Sequence, residues 1–185
     1  MAMVVAVVGM PGCGKGELAA VVSEAGFPVY SMGDMIRAEV DSRGLEGDPL
    51  IFGRIAQELR DEFGYAVLAE RLAPIVDEAR KEHSIVMIEG MRGTDEKGVF
   101  LDYWSDDFKV VAIAADADLR FQRITARGRA EDGDRPSFDA RDERESRWGV
   151  SELMVGADWT LDNSEDLNTF KNRSQAWLKA LFPSH

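Results

Sequence analysis

Cysteine, histidine and positive charge are the scarce materials of this 185-residue chain. The one cysteine, Cys13, excludes an intramolecular disulfide framework and a cysteine-based zinc site. Of the two histidines, His83 stands isolated, with no partner at ligand spacing. Lysine and arginine total 22 against 34 aspartates and glutamates, for a net charge of −12. That balance argues against broad electrostatic affinity for nucleic acid or an anionic membrane. No apolar run approaches the roughly 20 residues of a membrane span. The N-terminus lacks a basic stretch and a cleavage site, so the expected location is the cytoplasm. There is no internal repeat, low-complexity tract or linker, which leaves one domain of ordinary globular composition, as a monomer or homodimer.

What is present is concentrated at the start. Met3 to Val8 is a short β-branched apolar run, too short for a helix, and reads as a fully buried strand. It runs into Gly9-Met-Pro-Gly-Cys-Gly-Lys15, and residues 17–23 then read as helix. Strand, glycine-rich turn, lysine and helix make the context of a phosphate-cradling P-loop. The glycines let backbone N–H groups converge on an anion, the helix N-terminus adds its free donors, and Lys15 adds a full charge. A dinucleotide-binding turn would space its glycines differently and would have no use for Lys15. Gly16 stands where serine or threonine ordinarily contacts magnesium.

Strand and helix signals then alternate, the pattern of a parallel α/β sheet. Strands are expected at 28–31, 84–89, 108–114 and 159–161. Helices are expected at 35–40, with Gly33-Asp34 as turn and N-cap, and at 51–63, 66–82, 95–104, 118–127 and 165–181. Pro74 should kink the helix at 66–82, and 151–156 should form a helical turn. Functional residues of open α/β sheets gather at the carboxyl ends of strands. Here those ends carry Lys15, Asp34, Glu89 with Arg92, Asp116 and Asn163.

Phosphoryl transfer asks a protein for positioning and positive charge. Lys15 would sit by the β and γ phosphates. Glu89 is placed to hold magnesium, often through water, with Asp34 as a second candidate metal ligand. Arg37 lies one helical turn beyond Asp34, Arg92 follows the third strand, and Arg123 and Arg127 share a helix face. Guanidinium groups grip phosphate bidentately, which suits Arg37, Arg92, Arg141 and Arg144 to an acceptor. The bland alternative is a solvated charged helix with pairs such as Arg141 with Glu145. The glycine-bearing, arginine-rich stretch from Gly128 to Pro136 is a candidate lid. The tryptophans suit a core, with Trp148 beside the lid.

Gly9-Met-Pro-Gly-Cys-Gly-Lys-Gly16 resembles the P-loop of adenylate kinases, in which glycine follows the lysine. Ser31-Met-Gly-Asp-Met-Ile-Arg37 resembles that family's acceptor segment, whose arginine holds the monophosphate. Glu89-Gly-Met-Arg92 resembles its acidic-Gly-x-x-Arg stretch. Arg123-Ile-Thr-Ala-Arg127-Gly-Arg resembles the lid hinge, where the first arginine packs on the adenine and the second reaches the phosphates. With Arg-Asp-Glu-Arg-Glu, Trp-Gly-Val and Asn163, the pattern is similar to an archaeal family of adenylate-kinase-related, dephospho-CoA-kinase-like proteins.

The resemblance covers most of the chain. It implies a P-loop NTP hydrolase fold of the nucleoside monophosphate kinase type: a five-stranded parallel sheet of order 2-3-1-4-5, an acceptor-binding insertion at about 31–70 and a lid at about 128–144. It implies ATP and Mg2+ as cofactors. Gly9, Pro11, Gly12, Cys13, Gly14, Lys15, Gly16, Glu17 and Arg123 would bind the nucleotide, and Lys15, Asp34, Arg92 and Arg127 would serve catalysis. The chain departs from the pattern in several places. Glu17 replaces threonine, Arg92 comes one residue early, the glutamine that reads AMP has no match near Glu96, and the lid is short. Two readings stay open: a kinase acting on a nucleoside monophosphate or dephospho-CoA, and a nucleotide-dependent switch or slow ATPase with a macromolecular partner.

Overall fold

The structure, a computed structural model, describes residues 2–47, 49–128 and 133–181. Strand β1 (Met3–Val8) forms the centre of a five-stranded sheet, between β3 (Ile85–Glu89) and β4 (Phe108–Ala114). Strands β2 (Val29–Ser31) and β5 (Trp159–Asp162) take the edges, giving the order 2-3-1-4-5 with every pairing parallel. Both the order and the all-parallel sense are those expected from the motifs.

The alternation of side chains along a strand divides the interior into two cores. Val4, Ala6 and Val8 face one side, with Val86, Ile88, Val110 and Ala112. Val5 and Val7 face the other, with Ile85, Met87, Val111 and Ile113. The first core is closed by α2 (Met32–Ser42), α3 (Pro49–Phe63), α4 (Val67–Ala79), α5 (Thr94–Trp104) and α8 (Val150–Val155). The second is closed by α1 (Lys15–Glu24) and α9 (Leu167–Ala180), through Leu18, Val22, Phe170 and Trp177. Helices α6 (Ala117–Arg127) and α7 (Arg135–Trp148) complete the fold and meet through Phe121 and Phe138, whose ring centroids lie 5.4 Å apart.

Local chemistry moves some boundaries from where the sequence suggests. Helix α2 begins at Met32, and its N-cap is Ser31, not Gly33-Asp34. The extended end of β2 delivers the Ser31 hydroxyl to accept from the Gly33 N–H, while Asp34 reaches back to accept from the Ser31 N–H. This reciprocal capping box satisfies two of the donors that a helix start leaves free. Helix α4 stops at Ala79, short of the expected Glu82, and carries Pro74 within it. Helix α6 ends on Gly128, whose φ of 64° suits a left-handed stop. Within the expected lid, residues 129–132 lie outside the described residues. From Arg135 onward that stretch is helix, capped by Asp134, which accepts from the Ser137 N–H.

Candidate functional site

The strand registry sets the edge on which the site is built. Val7 lies beside Glu89, and Glu89 beside Ser31, so the ends of β1, β3 and β2 come abreast. Beyond them the loop from Gly9 to Gly14 turns into α1. Gly14 is the N-cap of that helix, at φ 109°, with no side chain capping the first turn. A Cβ there would stand 2.4 Å from Asn163 Nδ2, so both the backbone angle and the contact demand glycine. The first N–H groups of α1 are thereby left facing the loop.

Lys15 folds back over this loop, and its ammonium donates to the carbonyl oxygens of Gly9 and Met10. Cys13 is buried, its Sγ 3.9 Å from the same ammonium. Asn163, at the end of β5, ties the loop to α6. Its Nδ2 donates to the Cys13 carbonyl at 2.8 Å, and its Oδ1 accepts from Arg123 at 3.3 Å. Arg123 also donates to the Glu165 carbonyl, but its buried Nη1 has no hydrogen-bond partner among the described residues. An unpaired buried donor is costly, and Arg123 is one of the residues that line the cavity over the loop.

That cavity measures about 790 Å³ and is walled by Gly12, Lys15, Gly16, Arg92, Arg123 and Arg127, among others. Gly9, Pro11, Gly14, Glu17 and Arg141 border it as well. Arg141 also approaches Glu145 at 3.7 Å, the intrahelical pair foreseen from the sequence, and Glu145 is buried. Of the other candidates, Arg37 pairs with Asp34 Oδ1 and borders neither this cavity nor its neighbour. Arg144 places its guanidinium 5.4 Å from the centre of the Trp148 ring. Glu89 is half-buried at the end of β3.

Sequence reasoning passed over Arg120. It is 5% exposed and links three elements. Its guanidinium donates to the Pro11 carbonyl at 3.0 Å, to the Ala115 carbonyl at 3.1 Å, and bidentately to Asp142 of α7. Its Cζ also lies 5.1 Å from the Phe138 ring centre. The signal was its place four residues before the buried Ile124, which puts it on the inward stripe of α6. Arg60, Glu96 and Trp148 were likewise not joined into a site by the sequence. They border a second cavity of about 320 Å³, which shares Arg92 with the first.

The glycine cradle, Lys15 and the unpaired Arg123 donor fit a polyphosphate and its attached base. A Cβ added at Gly16 would meet no atom within 4 Å, so space beside Lys15 is open. Among the described residues no three histidine, cysteine or carboxylate groups converge as a metal cage. Magnesium needs no such cage, since it keeps several waters and uses one or two carboxylates plus substrate phosphates.

A five-stranded parallel sheet of this order, with a glycine cradle at the end of its central strand, defines a P-loop nucleotide-binding domain of the kinase-like class. A family model described as an AAA domain matches residues 8–137. A UPF0200 protein of Halobacterium salinarum is 40% identical over 97% of this chain and 94% of its own length. The chain belongs to the UPF0200 family. Among solved structures, TT1252 from Thermus thermophilus superposes with a TM-score of 0.65 at 20% identity, over 99% of both chains. Shikimate kinase from Acinetobacter baumannii, in complex with shikimate, gives 0.59 at 13% identity, over 98% of this chain and 93% of its own. These two likenesses concern the fold. No helix among the described residues is long and apolar enough to cross a membrane.

Proposed function

We propose that the protein is an ATP- and magnesium-dependent phosphotransferase acting on a small, nucleotide-like acceptor. The observation that carries this is the position of Arg92, which borders both the cavity over the P-loop and the smaller cavity beside it. One guanidinium bordering two adjoining sites suits the positioning and charge stabilisation that in-line transfer between a donor and an acceptor draws on.

In this reading the γ-phosphorus of ATP parts from the β–γ bridging oxygen, which keeps the electron pair and leaves as a β-phosphate oxygen of ADP, and bonds to an acceptor oxygen. Lys15 exchanges its carbonyl partners for the phosphates, while Arg127 and Arg141 line the path and Arg123 holds the donor's ring and sugar end. Glu89 holds magnesium, which when bound neutralises charge across the phosphate oxygens. A phosphate acceptor needs no base. A hydroxyl acceptor needs one, and Asp34 serves only after releasing Arg37.

The test is ADP production from ATP and magnesium with nucleoside monophosphates, deoxynucleotides, dephospho-CoA and shikimate. The expected result is strong stimulation by one acceptor, abolished by Lys15→Ala. Slow turnover indifferent to every acceptor would instead favour the switch or ATPase reading.

A further inference from the structure

The smaller cavity gathers positive charge whose counter-charges stand off. It lies between α3, the turn after β3 and the carboxyl end of α7, with Arg60, Arg92, Arg147 and Trp148 on its walls. The Cζ atoms of Arg60 and Arg92 each lie 5.8 Å from the Trp148 ring centre, so both cations lean on one indole. The Arg60 side chain is only 13% exposed. Its one hydrogen bond among the described residues runs from Nη1 to the Ala56 carbonyl of its own helix, at 3.2 Å. The carboxylates that approach Arg60 and Arg92 are Glu96 and Glu145, each at 3.9 Å, beyond hydrogen-bonding distance. Arg147, by contrast, is exposed and paired with Glu143 at 3.2 Å.

Neither standing-off carboxylate is a full partner. Glu96 Oε2 accepts from the backbone N–H groups of Arg92 at 2.7 Å and Gly93 at 3.2 Å, which closes the capping box of α5. Burial raises the Glu96 pKa in spite of those N–H groups and Arg60, which makes it a weak counter-charge. Glu145 is shared between Arg92 and Arg141, the latter at 3.7 Å. Asp95 borders the cavity too, but it is exposed, and water screens its charge. Burial holds the Arg60 pKa below its ordinary value; the Glu96 charge opposes that fall and the Arg92 charge adds to it. Two cations that disfavour one another in a cavity are relieved by an anion placed between them.

Charge and oxygen count decide which anion suits. A phosphate monoester carries a charge of about −1.5 to −2 near pH 7 and three acceptor oxygens, enough for two guanidinium forks. A carboxylate brings a single charge and two oxygens, enough for one fork. The cavity measures about 320 Å³, which leaves room beyond the anion along Tyr65 and Thr94. We propose that it binds the phosphate monoester of a small ligand between Arg60 and Arg92, with Arg60 the residue that makes the anion obligatory. Arg37, to which the resemblance assigns this task, is paired with Asp34 and borders neither cavity. Use of the cavity as the acceptor site rests on the phosphotransferase reading; the binding itself does not.

Calorimetric titration of AMP, GMP, CMP and UMP, of their nucleosides and of shikimate tests this, using wild-type protein and Lys15→Ala, in which the P-loop site is disabled. At least one monophosphate should bind both proteins about tenfold or more tightly than its nucleoside, the worth of hydrogen bonds to a charged group. Shikimate, a ring carboxylate, should bind more weakly than that monophosphate. Arg60→Met, placed in the Lys15→Ala background, should bring the monophosphate down to the level of its nucleoside. Arg60→Lys, which keeps the charge and loses the fork, should restore part of the difference. If Arg60→Met fails to fold, Arg60→Lys and the unaltered residue decide between them. Monophosphates bound no better than nucleosides, shikimate bound as tightly as the best monophosphate, or a larger loss from Arg37→Ala than from Arg60→Met would each overturn the proposal. Transfer from labelled ATP, followed in parallel, keeps the two readings apart. Binding that depends on Arg60 without transfer sinks only the phosphotransferase; transfer undiminished in Arg60→Met sinks only the anion site.

Discussion

The two cavities of this protein are built from different materials. The floor of the larger cavity, the P-loop itself, is largely backbone: glycines, the free N–H groups of α1, and one lysine folded onto two carbonyls. The smaller cavity is made of side chains, with Arg60 from α3, Arg92 and Glu96 after β3, and Trp148 from α7. A backbone cradle suits any polyphosphate, because every N–H offers the same donor. A cradle of side chains is selective, because each group has its own charge and shape. In the proposed phosphotransferase, handling of the donor and choice of the acceptor would fall to separate materials, joined by Arg92.

The sharpest break in that comparison is Lys15→Ala. It should lower phosphoryl transfer by about 10²–10³-fold, as loss of a charge-stabilising donor does. Ligand binding at the smaller cavity should persist, and steady-state turnover beside calorimetry reads both. Next is Asp142→Ala, which strands the buried Arg120 without its carboxylate. Removing one partner of such a pair should cost about 3 kcal/mol in urea unfolding. The P-loop should loosen with it, because Arg120 also holds the Pro11 carbonyl.

Arg60→Met should behave in the opposite way, taking a poorly paired cation out of the smaller cavity. Stability should change by less than about 1 kcal/mol, while affinity for an anionic ligand falls and ATP binding is kept. Loss of both bindings together would mean that the two cavities are not separable.

The smallest effect belongs to the cap of α9, on the rim of the P-loop cavity. The Thr169 hydroxyl and nearby backbone N–H groups hold the Asp166 carboxyl below its ordinary range. The unfolded chain therefore binds more protons, so this contribution is present above the unfolded value of 3.8 and lost as pH falls through the lower, folded one. Urea midpoints for wild type should decline more steeply over this acid range than those of Asp166→Asn.

The sheet was legible because its buried strands are short apolar runs between glycine turns, and the P-loop because it is contiguous in sequence. Lys15, Gly14 and Arg123 could be picked out one by one. The smaller cavity could not, since Arg60 and Trp148 meet only once α3 and α7 have packed. Arg120 escaped because a charged residue on an inward helical stripe looks like a solvated one until its partner Asp142 is known. The start of α2 was misplaced because Asp34 has the chemistry of a cap, yet Ser31 stands where the strand ends.

The most direct test of the account follows the γ-phosphoryl of labelled ATP in the presence of magnesium and a mixed pool of nucleoside monophosphates, dephospho-CoA and shikimate. The account predicts label on one organic acceptor, lost in Lys15→Ala. Label only in inorganic phosphate, released at one rate with or without the acceptors, would contradict it.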